Sequence, residues 1–367
     1  MSDVEIPIAD PDVGELECER VCEVLRTGQL ADGPVVREFE AAFAEYCGAA
    51  HGAAVANGTA ALHAALVAVG VGPGDRVVTT PFSFVATANA IRLAGAEPVF
   101  ADVDPETYNL DPDAVEAVLR RQVDVAAVLP VHLYGRPAPM PHLVDLAETY
   151  DAALVEDAAQ AHGAELDGRR VGSFGDAACF SFYPTKNMTT GEGGLVTTDH
   201  EDVAEAVARF ANHGRGAATY EHVEVGHNLR MTSLAAAIGL VQLEKLPAFN
   251  RARRENARRL TEGLSDASVV LPTEPSGGRH VYHQYTVEHD NRDGLADHLA
   301  RRGVGTGVYY PTPIHRQPAY ADVDVSAPVA ERVADRVLSL PVHPGLDESD
   351  VAAVVDAVTA YAEVSAR

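Results

Sequence analysis

The chain is nearly free of lysine and has no tryptophan. Of the 28 basic residues among its 367, only Lys186 and Lys245 are lysine. No run of about 18 apolar residues predicts a membrane span, and the acidic start of the chain lacks the apolar core of a signal peptide. We therefore expect a cytoplasmic protein. Its few cysteines have the spacing of neither a disulfide framework nor a zinc site, so no metal site is predicted; they are Cys18, Cys22, Cys47 and Cys179.

Positive charge is scarce as well. The chain has 54 acidic residues and a formal net charge of −26, with an isoelectric point near 4.8. Nucleic-acid and anionic-membrane partners need a basic surface, so the composition argues against both. A GC-rich genome would explain arginine in place of lysine, but it would not explain the acidic excess. The acidity therefore favours adaptation to concentrated salt, where counterions screen the self-repulsion.

One of the two lysines lies in a polar, glycine-rich stretch. Lys186 is in the segment 180–194, which contains Thr185-Lys186-Asn187 and ends in Gly191-Glu192-Gly193-Gly194. A lysine can lose its proton, attack a carbonyl and form a Schiff base, which an arginine cannot do. Lys186 therefore points to pyridoxal phosphate (PLP) chemistry, or less directly to a Schiff-base aldolase. A solvated lysine on a hairpin is the alternative interpretation.

Short apolar runs alternate with amphipathic ones over the first two thirds of the chain. This alternation predicts a mostly parallel sheet wrapped by helices. The last two strands, on either side of Lys186, are joined by a short connection, which predicts an antiparallel pair. The predicted strands are Ala53–Ala56, Arg76–Thr80, Pro98–Ala101, Val125–Val131, Ala152–Glu156, Ala177–Tyr183 and Gly194–Thr198. The helices predicted between them are Thr59–Val69, Ala86–Ala94, Asp113–Arg121 and Pro141–Tyr150.

The chain is long enough for one large and one smaller domain. A helical stretch from Gly14 to about Ala50 precedes the first strand, and an apolar helix over Ser233–Leu246 ends at Pro247 in this interpretation. We predict a large domain over residues 1–250 and a small C-terminal α+β domain over residues 251–367. The small domain includes a predicted strand at Tyr282–Val287.

Several residues suited to a planar, phosphorylated cofactor follow the predicted strands, where open parallel sheets bind their ligands. The backbone of Gly58, Thr59 and Ala60 opens a helix and, with the Ser181 hydroxyl, would form a phosphate site. A carboxylate at the end of a buried strand needs a partner, and a pyridinium N–H would pair with Asp157. With Lys186 as the Schiff-base residue and a phenylalanine near the same edge, the sequence has each part of a PLP site.

The order of these motifs resembles the DegT/DnrJ/EryC1/StrS family of PLP-dependent sugar aminotransferases. The resemblance implies the α/β architecture of fold type I, similar to aspartate aminotransferase, with a large seven-stranded, mostly parallel sheet domain and a small C-terminal α+β domain. The segments that carry it are 57–62, 84–87, 132–135, 156–163, 181–187, 191–194, 212–214, 228–231, 310–315 and 340–344.

The resemblance implies further residue roles. Phe84 would stack on the cofactor ring, and Gln160 would bind its phenolic oxygen. Asn228 would reach the phosphate of the neighbouring subunit in a homodimer with shared sites. Tyr310 and His315 would line the sugar pocket. Arg230 belongs to a segment, 215–230, whose arginines would meet an anionic substrate at the dimer interface, and Arg316 is a further candidate.

The expected reaction moves the amino group of L-glutamate to a keto group of a nucleotide-linked sugar. Three alternatives remain open at this stage. An inosose-type cyclitol ketone is one other acceptor. A PLP- or PMP-dependent sugar dehydratase is less favoured, because such relatives carry histidine where this chain has Lys186. A non-catalytic PLP-binding or regulatory protein is disfavoured by the intact set of Lys186, Asp157 and Ser181.

Overall fold

The computed structural model describes residues 5–122 and 124–365, and a seven-stranded sheet lies at its centre. The helices are α1 (Glu15–Thr27), α2 (Pro34–Cys47), α3 (Gly58–Ala68), α4 (Ala86–Leu93), α5 (Pro112–Leu119), α6 (Met140–Thr149), α7 (Glu201–Ala211), α8 (Ser233–Gly263), α9 (Arg292–Arg301), α10 (Pro328–Arg336) and α11 (Glu348–Ser365). The strands are β1 (His51–Val55), β2 (Arg76–Thr79), β3 (Glu97–Phe100), β4 (Val125–Leu129), β5 (Ala153–Asp157), β6 (Glu165–Leu166), β7 (Arg169–Arg170), β8 (Ala177–Ser181), β9 (Gly194–Thr198), β10 (Gly278–Arg279), β11 (Tyr285–Glu288) and β12 (Val337–Leu340).

All seven strands predicted for the first part of the chain pair into this sheet, in the order β1-β9-β8-β5-β4-β2-β3. The prediction of a mostly parallel sheet is confirmed, as is the antiparallel pairing of β8 with β9. Since β9 also pairs antiparallel with β1, it is the one strand of the sheet that runs against its neighbours. The carboxyl ends of β5 and β8 therefore meet at the same edge.

Helices cover both faces of the sheet, because both faces are apolar. Strand β8 illustrates this, since its side chains point alternately to the two faces. Ala177 and Cys179 belong to the apolar core on one face, with α3, α4 and α7. Ala178 and Phe180 belong to the core on the other face, where Phe39 and Phe43 of α2 pack against them. Successive side chains of a strand point to opposite faces, so a strand buried on both faces is apolar throughout.

The predicted end of a helix at Pro247 is wrong, because α8 continues through this proline to Gly263. Leu243 and Leu246 are buried before the proline, and Ala257 and Leu260 are buried after it. Tertiary packing on both sides therefore outweighs the missing N–H donor of the proline. The division of the chain into domains at residue 250 stays a prediction, and it falls within this helix.

The C-terminal part packs α9, α11 and the end of α8 around the antiparallel pair of β11 and β12. The strand predicted at Tyr282–Val287 is present but begins later, at Tyr285. Tyr282 has a positive φ of 44° and precedes it in a turn. The backbone N–H groups of Val281 and Gln284 donate to the carbonyls of Gly135 and Tyr134, in the connection that follows β4. These bonds hold the segment 281–284 against the edge of the larger sheet.

The second lysine fixes α1 to α8. Lys245 Nζ lies 2.7 Å from a Glu17 carboxylate oxygen and 3.1 Å from Asp12 Oδ1. Burial acts to raise the pKa of Glu17, but hydrogen bonds from Lys245, Gly14 and Gln242 lower it to about 2. Burial acts to lower the pKa of Lys245, and its two acidic partners raise it above its usual range. Lys245 thus stays protonated as a structural cation.

The described residues offer neither a membrane span nor a metal cluster. No helix within residues 5–122 and 124–365 is both long and apolar enough to cross a membrane. In the same ranges, no three histidine, cysteine or acidic side chains are grouped as metal ligands. The four cysteines are free, two of them exposed on α1.

Candidate active site

A cavity of about 900 Å³ lies at the carboxyl ends of the central strands. Its wall is largely apolar, and Lys186 is the one lysine or arginine among the described residues that line it. The structure brings together most of the site residues predicted from the sequence. Those on the cavity wall are Gly58, Thr59, Ala60, Phe84, Asp157, Gln160, Ser181, Lys186 and Tyr310.

Asp157 is the last residue of β5 and is almost fully buried. Its Oδ2 accepts a hydrogen bond from the Thr87 hydroxyl at 2.8 Å, and its Oδ1 accepts one from Ala159 N–H at 3.2 Å. Because Thr87 donates to Asp157, the Ser83 hydroxyl 3.0 Å away donates to Thr87. Burial raises the pKa of Asp157 even though these hydrogen bonds and the Lys186 charge act to lower it. The carboxylate therefore gains from a further cationic donor.

Lys186 follows β8 in the loop that returns to β9. In the described part of the chain, no hydrogen bond or ion pair to its amine is found, so the group faces the cavity unengaged. Burial lowers the pKa of Lys186 to about 8, although the charge of Asp157 acts to raise it. A free amine is thus available at mildly alkaline pH, which is what a nucleophilic lysine requires.

The N-terminus of α3 and Ser181 form one corner of the cavity. The Asn57 side chain caps the helix by accepting from Ala60 N–H at 2.9 Å, which leaves the N–H groups of Gly58 and Thr59 for a ligand. A Cβ added at Gly58 would lie 2.7 Å from Ser181 Cβ. Glycine is therefore required for the helix start to approach Ser181, and the resulting corner suits a phosphate.

Gln160 is held in one orientation. Its Oε1 accepts from Tyr134 N–H at 2.7 Å, so its Nε2 is the donor on the cavity side, where it bonds to Tyr310 Oη at 3.1 Å. The Tyr310 ring lies 6.0 Å from the half-exposed Phe84 ring, centroid to centroid. These two rings form an aromatic wall beside Gln160.

Comparison with known proteins agrees with this geometry. A family model for the DegT/DnrJ/EryC1/StrS aminotransferase family matches residues 11–359. The chain belongs to this family. It is 42% identical over 346 residues to a pleiotropic regulatory protein of Geobacillus stearothermophilus, with 92% of each chain covered. It is 40% identical to UDP-N-acetyl-3-dehydro-alpha-D-glucosamine 3-aminotransferase of Acidithiobacillus ferrooxidans, covering 88% of this chain and 87% of that one.

The fold is confirmed by solved structures of relatives. The aminotransferase TlmJ from Streptoalloteichus hindustanus superposes with a TM-score of 0.94 at 37% identity, covering 99% of this chain and all of that one. The seven-stranded core of the present aminotransferase is therefore that of PLP fold type I, as the sequence predicted. The chain is a PLP-dependent aminotransferase.

The residues of the cavity fit PLP. The buried Asp157 carboxylate, which has no cationic hydrogen-bond partner among the described residues, suits the ring N–H, and the corner of Gly58, Thr59 and Ser181 suits the phosphate. The Nε2 donor of Gln160 suits the phenolic oxygen. Each of these groups is held by a hydrogen bond or a close contact within the protein.

Four residues predicted for the site or for its anionic substrate do not line this cavity. Asn228 is exposed, and Arg230 donates to its Oδ1 at 2.7 Å. His315 is buried away from the cavity, where its Nε2 bonds to Glu331 at 2.9 Å. A direct sugar contact by His315 stays a prediction from the resemblance. Arg316 pairs with the same Glu331 carboxylate.

Sequence reasoning missed several residues that shape the site. Thr87, which lies in the segment 84–87, has no predicted role, yet its hydroxyl holds Asp157. His283 lines the cavity, although nothing in a single sequence distinguishes it from a core histidine. Glu156, beside Asp157, also has no predicted role, and the structure buries it fully. The available signal in the sequence is a carboxylate at the end of an apolar strand, since such a group must be satisfied by the protein.

Replacing Lys186 with arginine should abolish the reaction. We expect turnover of Lys186→Arg to fall by more than about 1,000-fold, because a guanidinium is neither a nucleophile nor a proton carrier at working pH. Borohydride reduction of the wild-type enzyme with bound PLP, followed by peptide mapping, should mark Lys186. Lys245→Arg is the matched control and should keep full activity; a mark on Lys245 instead would overturn the assignment.

Proposed function

We propose that this aminotransferase moves the amino group of L-glutamate to a keto group of a nucleotide-linked sugar. The observation that carries the proposal is the meeting of Lys186, Asp157, Gln160 and Ser181 in one cavity of about 900 Å³, in a chain whose relatives include an aminotransferase named for a UDP-linked keto sugar. The cavity is large enough to hold more than a cofactor. The proposal leaves the identity of the sugar, the nucleotide and the aminated carbon open.

Some of the described side chains would bind the cofactor, and Lys186 would transfer protons. When bound, PLP supplies an electron sink for the substrate carbon that carries the amino group. Asp157 holds a proton on the ring nitrogen, and the α3 N-terminus with Ser181 holds the phosphate. Lys186, with its pKa lowered to about 8 by burial, is placed to take a proton from the substrate carbon and would deliver it to C4′ of the cofactor.

The proposed substrates are anionic, yet the cavity formed by one chain has no arginine on its described wall. Glutamate carries two carboxylates, and a nucleotide diphosphate carries further charge, so cations must come from elsewhere. The overall charge of −26 makes this need stronger. We propose that a second copy of the chain supplies them, in a homodimer with shared sites.

The extended segment 227–230 supports this arrangement. His227 and Leu229 line the cavity of their own chain, whereas Asn228 and Arg230 do not. Alternate side chains of an extended segment point to opposite sides, so the second pair faces away from that cavity. Asn228 and Arg230 also bond to each other, and together they form one exposed polar unit. We propose that this unit binds the phosphate and an anionic substrate group in the neighbouring site.

Glutamate alone tests the first half of the reaction. The enzyme should lose its yellow colour as PLP is converted to the amino form, with one 2-oxoglutarate released per site. A matching keto sugar nucleotide should restore the colour and yield the amino sugar by mass spectrometry, as a two-step exchange requires. Lys186→Arg, loaded with PLP, is the control that should not bleach.

The other outcomes separate the alternatives. If a free cyclitol ketone restores the colour and no nucleotide sugar does, the acceptor class is wrong although the chemistry stands. If glutamate and glutamine both fail to bleach the enzyme while a deoxygenated sugar forms, the protein is a dehydratase. If no amino donor bleaches the enzyme and no product forms although PLP is bound at Lys186, the catalytic proposal fails.

Mixed dimers test the shared site. Lys186→Ala and Asn228→Ala should each be impaired, but a mixed dimer has one site with both residues intact. Random pairing of equal amounts should therefore restore about a quarter of wild-type activity. As the control, each variant is dissociated and reassembled alone, and its activity should not increase. Absence of recovery in mixtures shown by mass spectrometry to contain mixed dimers would contradict the shared site.

We also propose that the acidic surface is an adaptation to salt. The net charge of −26 repels itself in dilute buffer, and salt screens that repulsion over about 10 Å at 0.1 M. Melting temperature and activity should both rise between dilute buffer and molar KCl. A melting temperature that is flat or falls over this range would show that the acidity has another cause. A cytoplasmic location stays a prediction from the sequence.

A further inference from the structure

Two buried hydroxyl groups stand in series behind the Asp157 carboxylate. Thr87 Oγ1 donates to Asp157 Oδ2 at 2.8 Å, and Ser83 Oγ lies 3.0 Å from Thr87 Oγ1. An ionised carboxylate only accepts, and the one hydrogen of the Thr87 hydroxyl is used on it, so Ser83 donates to Thr87. Thr87 is 1% exposed and Ser83 is 4% exposed, so both bonds are shielded from bulk water. Ser83 and Thr87 are called the hydroxyl pair below.

The local fold directs the Thr87 hydroxyl away from its own backbone. Thr87 is the second residue of α4, and its N–H donates to the Phe84 carbonyl at 3.2 Å. A threonine hydroxyl in a helix commonly bonds to a carbonyl of the preceding turn. This one instead reaches the end of β5, 70 positions along the chain, and its partners among the described residues are Asp157 and Ser83. The hydroxyl is therefore committed to the carboxylate.

Protonation of Asp157 would disturb this arrangement. Its Oδ1 accepts from Ala159 N–H at 3.2 Å, and an N–H cannot become an acceptor. A proton on Oδ2 would force Thr87 to donate to Ser83 instead. The Ser83 hydrogen would then need a new acceptor, and in the described part of the chain the Ser83 hydroxyl bonds to Thr87 alone. Hydrogen bonds to an ionised acceptor are also the stronger ones, so the hydroxyl pair favours the carboxylate over the acid.

This preference works against the burial of the group. Burial favours the neutral acid and raises the pKa of Asp157, whereas the hydrogen bonds from Thr87 and Ala159 act to lower it. The charges of Lys186 and His132 also act to lower it, but neither group hydrogen-bonds to this carboxylate among the described residues. Thr87 thus supplies the one side-chain hydrogen bond to Asp157 in residues 5–122 and 124–365.

The remaining titratable groups near Asp157 are neutral. Burial and the Asp157 charge raise the pKa of Tyr310 and of Cys179, so both stay protonated. Burial lowers the pKa of His283 well below its usual range, and its Nδ1 lies 3.3 Å from Asn187 Oδ1. None of these groups takes the place of the hydroxyl pair.

We propose that Ser83 and Thr87 are positioning residues that keep the buried Asp157 ionised, so that the proton it shares with the bound cofactor lies on the ring nitrogen. Thr87 acts on the carboxylate directly, and Ser83 acts through Thr87. PLP draws electrons from the substrate carbon through its protonated ring, so the hydroxyl pair sets the strength of that effect. The inference rests on the fit of PLP to this cavity and does not depend on which donor or ketone the enzyme uses.

The loaded enzyme shows where the shared proton lies. PLP with an isotope-labelled ring nitrogen gives an NMR signal whose position depends on protonation. Thr87→Val replaces the hydroxyl with a methyl group of similar size, and at a fixed pH its signal should move towards the unprotonated position. Thr87→Ser keeps a hydroxyl and should match the wild type. Ser83→Ala should move the signal in the same direction as Thr87→Val, but less far.

The full-length enzyme freed of PLP gives the size of the effect. Infrared spectra across a pH series follow the protonated Asp157 carboxyl, and Asp157→Asn supplies the spectrum to subtract. A hydrogen bond to a charged group corresponds to about 1 to 2 pH units, so the midpoint should rise by that amount in Thr87→Val. In Ser83→Ala it should rise by roughly a few tenths of a unit. Glu40, whose pKa burial raises to about 7, accepts from Ala54 N–H and is the internal reference that should not change.

The double variant tests the order of the pair. If Ser83 acts only through Thr87, the variant with both Thr87→Val and Ser83→Ala should have the midpoint of Thr87→Val alone. Thr79→Val is the matched control, because this buried hydroxyl donates to the Leu129 carbonyl at 2.7 Å and not to Asp157. The Asp157 midpoint should be unchanged in that control.

A packing role would give a different pattern. Valine keeps the shape of threonine and serine does not, so Thr87→Ser would then be the disturbed variant. That order, an equal shift in both variants, or no shift in Thr87→Val would overturn the proposal. A double variant shifted beyond Thr87→Val would overturn the role given to Ser83. If these shifts are found but glutamate fails to bleach the enzyme, the proposed substrates fail and the hydroxyl pair stands.

Ser83→Ala covers the case in which Thr87→Val does not fold. It removes one oxygen atom and leaves Thr87 in place, and circular dichroism checks that it folds. Its Asp157 midpoint should still rise above that of the wild type. An unchanged midpoint in this folded variant would contradict the proposal.

Discussion

The carboxylate of Glu156 holds the centre of the sheet's functional edge together. It is fully buried, and it accepts hydrogen bonds from His132 Nε2 at 3.0 Å and from the N–H groups of Gly172, Phe174 and Gly175 at 2.8–3.0 Å. Burial acts to raise its pKa, but these donors lower it below its usual range. These contacts join the loop after β4, the end of β5 and the turn that leads into β8. The positions of Asp157 and of the loop carrying Lys186 both depend on them.

Much of the fold could be predicted because local sequence carries it. The seven strands and the helices between them follow from alternating apolar and amphipathic runs, and the antiparallel pair of β8 and β9 follows from its short connection. The place of β1 beside β9 could not be predicted, since pairing between strands about 140 residues apart leaves no local pattern. The continuation of α8 through Pro247 was missed for a related reason: it depends on what the helix packs against.

The residues of the candidate site likewise include some that could be predicted from the sequence and some that could not. Lys186 was predicted because the chain has only two lysines, and Asp157 and Ser181 because polar groups that follow buried strands suit a cofactor; the three meet in one cavity. His315 was placed by resemblance alone and lies in a separate contact with Glu331. The supporting contacts of Thr87, Asn187 and His283 could not be read from the sequence, because a hydrogen bond between residues about 70 to 100 positions apart depends on the folded geometry. Which side of the segment 227–230 faces the cavity likewise needed the structure.

The ion pairs of Lys245 have a consequence for how the enzyme acquires its cofactor. Free PLP is a reactive aldehyde and condenses with any accessible unprotonated lysine, so ordinary surfaces compete with the intended site. Here the one other lysine is kept charged by Glu17 and Asp12 at 2.7 and 3.1 Å. Within this chain, the aldehyde thus meets a single competent lysine side chain. The scarcity of lysine thus favours reaction of the cofactor at Lys186 over adducts elsewhere on the chain.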